Sequence, residues 1–252
     1  MPPEAPHRTP ARISLGPKKV HLPFSVRIVR TDAQLSKAVT IRAEAYSRHI
    51  PRLGEALKNA EAADRASDTI IFLAESHETG EPLGTIRIHT NFSSPIPIEE
   101  SIELPTHFRG RAIAGVSRLA VKSGPKGRLV KLALFKALHR YCLAKQIEWL
   151  VIGARPPLDK GYLDLGFVDV FPDFRPRPLA SAGGVAHRIL CFEVFTAERR
   201  WFELSHPLYV FMGKRYHPDI EIFASVGNMW SHPRAPQPVP LSSPPRLEIP
   251  LV

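Results

Sequence analysis

Ala114-Gly-Val-Ser-Arg-Leu-Ala-Val121 reads as a strand, and Ser123-Gly-Pro-Lys-Gly127 turns it into a strongly apolar helix over 128–145. Ile147-Glu-Trp-Leu-Val-Ile-Gly153 follows as a buried strand. A strand, a glycine-bearing turn, a helix and a second strand make the centre of an α/β fold. Working outward, Thr69–Glu75 and Leu83–His89 form a hairpin around the turn His77-Glu-Thr-Gly-Glu-Pro82. Upstream lie a short strand at 26–30 and a helix over 33–49 whose apolar stripe is Leu35, Ala38, Val39, Arg42, Ala45 and Tyr46. The Ala- and Glu-rich residues 55–67 read as a second helix or a lid. Downstream come a short helix at 156–165, a strand at 167–170 and a last strand at 187–195. The predicted fold is a single-domain mixed central sheet with helices on both faces.

The chain has 252 residues, a formal net charge of +10 and 44% hydrophobic residues. That composition supports a packed core and excludes a mostly disordered chain. No apolar run reaches the roughly 20 residues of a membrane span, and the first residues lack the apolar stretch of a secretory signal. Two cysteines, Cys142 and Cys191, build neither a disulfide scaffold nor a zinc site. A cytoplasmic protein with no bound metal is expected. Thirteen of the 26 prolines lie in residues 1–24 and 231–252, which read as proline-rich arms flanking a domain at 25–230. The positive charge favours anionic partners. Without a helix-turn-helix, zinc-finger or RNA-binding motif, nucleic acid is not expected among them.

Gly161-Tyr-Leu-Asp-Leu-Gly-Phe167 resembles an element common in GNAT acyltransferases. Four further segments occur in order: Arg42-Ala-Glu-Ala-Tyr46, an acidic stretch with Asp64 and Asp68, Gly84-Thr-Ile-Arg-Ile88, and Gly115-Val-Ser-Arg-Leu-Ala-Val121. Together they resemble the pattern shared by acyl-homoserine-lactone synthases and long-chain N-acyl amino acid synthases. His206-Pro-Leu-Tyr-Val-Phe211 and His217-Pro-Asp-Ile220 resemble the latter more. The resemblance spans roughly residues 26–222. It implies a GNAT-like sheet and attack of an amine, such as that of an amino acid, on a long-chain fatty acyl thioester. The donor would be acyl carrier protein or acyl-CoA, no cofactor would be tightly bound, and the lipidic product would associate with membranes. Lactone synthesis from S-adenosylmethionine and a non-catalytic acyl-binding role are the alternatives.

The resemblance implies a catalytic set of Glu44, Arg87, Arg118 and Tyr162. Tyr162 would protonate the leaving thiolate, or simply pack. Arg42, Tyr46, Asp64, Asp68, Val116, Ser117 and Leu119 would bind substrate, with a strand amide near 116–119 bonding the thioester oxygen. Arg42, on an apolar stripe, needs a partner: an acceptor carboxylate, or Asp64 or Asp68. Strand alternation places Thr85, Arg87 and His89 on one face and Val116, Arg118 and Ala120 together. The two arginines would hold the acidic segment closed or pair with Glu75 or Glu44. The family usually carries Glu where this chain has Gly115, so another base is needed, with Glu44, Glu75 and His89 as candidates. Lys122, Lys126, Gly127 and Arg128 form a helix-start loop suited to one phosphate, the phosphopantetheine arm of a carrier protein. Lys131, Lys136 and Arg140 would extend a basic docking patch. Part of 129–143 would line an acyl channel.

Overall fold

The computed structural model describes residues 18–222. The terminal arms, apart from 18–24, lie outside the described residues. In chain order the elements are β1 (Lys18–Lys19), β2 (Phe24–Ile28), α1 (Asp32–Ser47), α2 (Pro51–Ala56), β3 (Thr69–Ser76), β4 (Pro82–Thr90), β5 (Ile113–Val121), α3 (Gly127–Ala144) and β6 (Trp149–Ala154). Then follow α4 (Leu158–Leu163), β7 (Val168–Asp169), β8 (Arg177–Leu179), β9 (Val185–Glu193), α5 (Ala197–Glu203) and β10 (Arg215–Tyr216). The main sheet runs β2-β3-β4-β5-β6-β9-β7, with β8 added to β9. This is the mixed α/β sheet the sequence order predicts.

Helix α1 starts where Thr31 caps it: the Thr31 hydroxyl accepts from Gln34 N–H, and the Gln34 side chain accepts from Thr31 N–H. Its Leu35, Ala38 and Val39 pack on Ile71 and Leu73. Helix α3 covers the other face. Its Val130, Ala133, Leu134, Ala137 and Leu138 join Phe72, Ile86, Ile88, Ala114, Leu150 and Ile152 in the main core. Gly84 permits this close approach, since a Cβ there would come within 2.6 Å of Val130 Cγ1. The apolar wealth of α3 is therefore core.

Two features open the centre of the sheet. β5 and β6 are its one parallel pair, and their register runs only from Ile113 opposite Trp149 to Val116 opposite Ile152. Among the described residues the strands part beyond that point. On its other side β5 carries a bulge: Arg87 pairs with Ser117 and Thr85 with Ala120, so two residues of β5 face one of β4. The extra residue includes Arg118, whose φ of +53° lies in the left-handed region.

The bulge corrects the simple alternation. Gly115, Ser117 and Ala120 lie opposite His89, Arg87 and Thr85 and share their face, so Arg118 does not share a face with Val116 and Ala120 as strand alternation suggests. Residues 55–67 also differ from the expected helix. They hold the end of α2 and a single 3-10 turn at Ala62–Arg65.

Residues 197–222, for which the sequence offers no periodic element, form α5, one π turn at Val210–Lys214 and β10, which pairs with β1. Buried Lys136 ties this segment down. Its Nζ donates to Phe211 O (2.7 Å) and Arg215 O (2.5 Å) and meets His217 Nδ1 at 3.1 Å. Lys136 therefore leaves the docking patch expected of it. No helix among the described residues is long and apolar enough to cross a membrane, and no cluster of three potential metal ligands occurs among them.

Candidate active site

A cavity of about 610 Å³ opens where β5 and β6 part. Its floor is Arg87 and His89 of β4 with Gly115 to Leu119 of β5. Tyr46 and α2 form one wall, Gly153–Arg155, Leu158 and Tyr162 another, and 179–187 of the β8–β9 hairpin the third. No residue of α3 lines it, so the helix does not contribute an acyl channel.

Three arginines from three elements converge beside this cavity on two carboxylates. Arg118 grips Glu61 with both Nε (2.7 Å) and Nη2 (2.6 Å). Arg87 Nη1 donates to Glu61 Oε2 (2.8 Å) and Asp64 Oδ1 (2.9 Å). Arg42 Nη1 donates to the same Asp64 oxygen at 2.6 Å. Asp64 Oδ2 in turn accepts from Glu61 N–H, which closes the 3-10 turn that presents both acids. Burial works to raise the Glu61 and Asp64 carboxyls, but the arginines prevail and hold both below their ordinary values. Burial pulls Arg42 down despite its Asp64 partner.

Arg42 thus pairs with an internal acid and does not line the cavity, while Arg87 and Arg118 pair with neither Glu75 nor Glu44. Glu61 is the member the sequence reading missed. Its signal is the Glu61-Ala-Ala-Asp64 spacing, which puts two carboxylates on one turn. Asp68 stands apart: its carboxylate accepts from Ser93 Oγ (3.0 Å) and Ser94 Oγ (3.4 Å).

A polar chain crosses the floor. Arg87 Nε–H donates to Ser117 Oγ at 3.3 Å, which leaves the serine hydrogen for His89 Nε2 at 3.2 Å. On its other side His89 Nδ1 shares a hydrogen bond with Thr69 Oγ1 at 3.1 Å. Burial, and next the charges of Arg87 and Arg118, lower the His89 pKa to about 4, so the ring is neutral near pH 7 and one of its nitrogens is an acceptor. His89 faces Gly115 across the β4–β5 pair. A side chain at 115 would start 3.2 Å from Ile96 Cβ, so Ile96 would have to shift by a few tenths of an ångström to admit one.

Of the other expected residues, Tyr46, Val116, Ser117, Leu119 and Tyr162 line the cavity. Burial holds both phenols above their ordinary value, so they stay protonated. Glu44 is exposed and lies outside the cavity, and Glu75 binds Lys37 at 2.6 Å. In the basic loop, Lys122 is engaged by Glu81 (2.9 Å), whereas Lys126 and Arg128 are exposed beside the first turn of α3. In that turn Gly127 N–H already donates to Gly124 O at 3.1 Å.

The family model of the N-acyl amino acid synthase FeeM matches residues 37–189. The chain belongs to this N-acyl amino acid synthase family. The enzyme is thus an N-acyltransferase. The structure of FeeM, an N-acyl amino acid synthase from uncultured soil microbes, has a TM-score of 0.56 at 18% identity and covers 75% of this chain and 97% of that one. The CoA-dependent acyl-homoserine lactone synthase BjaI, with SAM and isopentyl-CoA, has a TM-score of 0.54 at 15% identity and covers 77% and 93%. No curated protein matches the enzyme.

Proposed function

We propose that the enzyme transfers a long-chain fatty acyl group from acyl carrier protein to the amine of an amino acid. The observation that carries this reading is the cavity's charge. Four arginines, Arg52, Arg87, Arg118 and Arg155, line it together with two histidines and no carboxylate. Arg87 and Arg118 are met by Glu61 and Asp64, but Arg52 and Arg155 keep the lining net positive. This suits an acceptor bearing a carboxylate and disfavours the sulfonium of S-adenosylmethionine, so amide formation fits better than lactone formation.

The reaction needs no covalent enzyme intermediate. The neutral amine attacks the thioester carbonyl, and the amine nitrogen becomes acidic as its lone pair is shared. Ser117 Oγ accepts that proton while passing its own to His89 Nε2. A weak base serves here because the proton leaves a nitrogen that is already becoming cationic. Beyond Val116, β5 has lost its β6 partner, so a free strand amide in this stretch bonds the developing oxyanion. Tyr162, kept protonated by burial, donates a hydrogen bond to the departing thiolate, which takes its proton from solvent. Arg118 and Arg87 act as positioning residues: they fix the 61–64 turn over the floor.

His89→Ala is expected to lower kcat roughly tenfold with little change in KM, because water can replace part of a proton relay. Single-turnover kinetics with saturating donor would check this, and an unchanged kcat would remove the relay.

The donor end rests on Lys126, Gly127 and Arg128, where two exposed cations stand at the start of α3 and suit a single phosphate. Reversing Lys126 and Arg128 to Glu is expected to raise KM for acylated carrier protein by about tenfold, salt-dependently, and to leave kcat alone. An unchanged KM would discard the docking site. The function itself is tested by expressing the chain in a bacterium and analysing new lipids by mass spectrometry. An acylated amino acid is the expected product; a lactone, or no new lipid, would refute the reading.

A further inference from the structure

The cavity's four arginines are not equivalent. Arg118 spends Nε and Nη2 on Glu61, and Arg87 spends Nε on Ser117 and Nη1 on Glu61 and Asp64. Their charge is largely met within the protein. Arg52 is exposed at the rim, where water screens it.

Arg155 is different. It follows β6 directly, is half-buried, and has no side-chain hydrogen bond or ion pair among the described residues. The acids nearest in sequence and pairing face Arg188, although Asp159 Oδ1 is left without a partner. Arg188 takes Asp159 Oδ2 (3.3 Å) and both oxygens of Asp169 (2.6 Å each). Arg155's cavity neighbour is His187, whose Nδ1–H donates to Val185 O at 2.7 Å. Burial first, and then the Arg155 charge, work to keep that ring neutral, against the hydrogen bond to Val185 O. A guanidinium held half out of water with no counter-ion is costly unless an anion completes it.

Resting on the acyltransferase reading above, we infer that Arg155 binds the carboxylate of the acceptor, and so sets the preference for α-amino acids over simple amines. Two anions enter such a site, the acceptor's carboxylate and the phosphate of the donor arm. Position favours the first. Alternation along β6 puts Arg155 with Gly153 and Val151. A Cβ at Gly153 would face Leu179 and His187, which is the hairpin wall of the cavity. The basic loop at the start of α3 belongs to the helix on the opposite face. A carboxylate on Arg155 leaves the α-amine to reach toward the floor at Ser117.

The test pairs an amino acid with its carboxamide, which keeps the side chain and amine but loses the charge. The wild-type enzyme should favour the acid by tenfold or more in kcat/KM, the scale of a hydrogen-bonded ion pair. In Arg155→Gln, KM for the acid should rise by that factor with kcat nearly unchanged, the carboxamide should be unaffected, and discrimination should vanish. Arg155→Lys should restore part of it.

KM should be measured for a phosphopantetheine thioester and for a phosphate-free N-acetylcysteamine thioester. A rise confined to the phosphate-bearing donor would overturn the inference. Calorimetric titration of the amino acid into wild type and Arg155→Gln, without donor, supplies a readout independent of turnover. Equal affinity in the two proteins, with matching melting curves, would overturn the assignment. Absence of amide from the wild type would instead count against the acyltransferase reading.

Discussion

Arg118→Gly is expected to leave the protein folded and to cut amide formation by roughly a thousandfold. The choice of glycine follows from the bulge. Arg118 holds φ at +53°, a region costing a non-glycine residue about 1 kcal/mol or more. Glycine relieves that strain while removing the guanidinium, so loss of the side chain is not confounded with collapse of the strand. The guanidinium's two hydrogen bonds to Glu61 fix the segment between α2 and β3 at the cavity edge. Freed from it, Glu61 retains only Arg87, and the turn no longer defines the chamber in which amine and thioester must align. Misplacement by about 1 Å already costs on the order of a hundredfold, and the bulge amides lose their fixed direction as well. Arg118→Ala should be as inactive and less stable. Transfer rates with thermal melts for both variants check this; activity within tenfold of wild type in a folded Arg118→Gly would remove the residue from the site.

The sequence made the sheet and its helices legible because their periodicities are strong. The stripe Leu35, Ala38, Val39, Arg42 became the buried face of α1, and the expected need of Arg42 for Asp64 or Asp68 resolved to Asp64 at 2.6 Å. What stayed hidden depends on registry. A bulge leaves no mark on the composition of Gly115–Val121, yet it alone turns Arg118 toward Glu61. The spacing of Glu61 and Asp64 suits one turn, but nothing in the run Glu61–Asp68 says that this turn faces the arginines and leaves Asp68 out. Folding selects Glu61 and Asp64, three apart on a 3-10 turn, and leaves Asp68 to the Ser93 and Ser94 hydroxyls.

The basic patch failed in the same way at Lys136. A helical lysine spaced among other cations reads as surface, but its stem lies in the core and its ammonium serves carbonyls of a segment some 75–79 residues later. The replaced carboxylate at position 115 is the clearest case of sequence and structure together saying more than either. Gly115 signals an absence, while Ile96 at 3.2 Å from the would-be Cβ shows that any side chain here would press on its neighbour. The neutral His89 opposite is placed to supply an alternative acceptor.

The largest stability loss is expected from Asp64→Ala. The Asp64 and Arg42 side chains are 0% and 1% exposed, and Arg42 Nε and Nη2 already lack protein partners. Removing the carboxylate therefore leaves a buried cation with no bonded acid and only the more distant Glu61 charge to offset its desolvation, a change that costs about 3–5 kcal/mol. Arg87 loses a partner at the same time, and Glu61 N–H loses the acceptor that closes its turn. For a chain of this size each kcal/mol moves Tm by roughly 2–4 °C, so a drop on the order of 10 °C is expected. Asp68→Ala, which frees only serine hydroxyls, should move it far less.

The effect has a pH signature. The folded-state pKa of Asp64 is depressed, so its contribution is present above the ordinary carboxylate pKa of about 3.9 and is lost as pH falls through the depressed value. The gap between wild type and Asp64→Ala should accordingly be widest near neutrality and narrow in acid. Equal melting temperatures at pH 7 would mean that the buried arginine finds another anion, and the three-arginine cluster would then not be what anchors the 61–64 turn to the sheet.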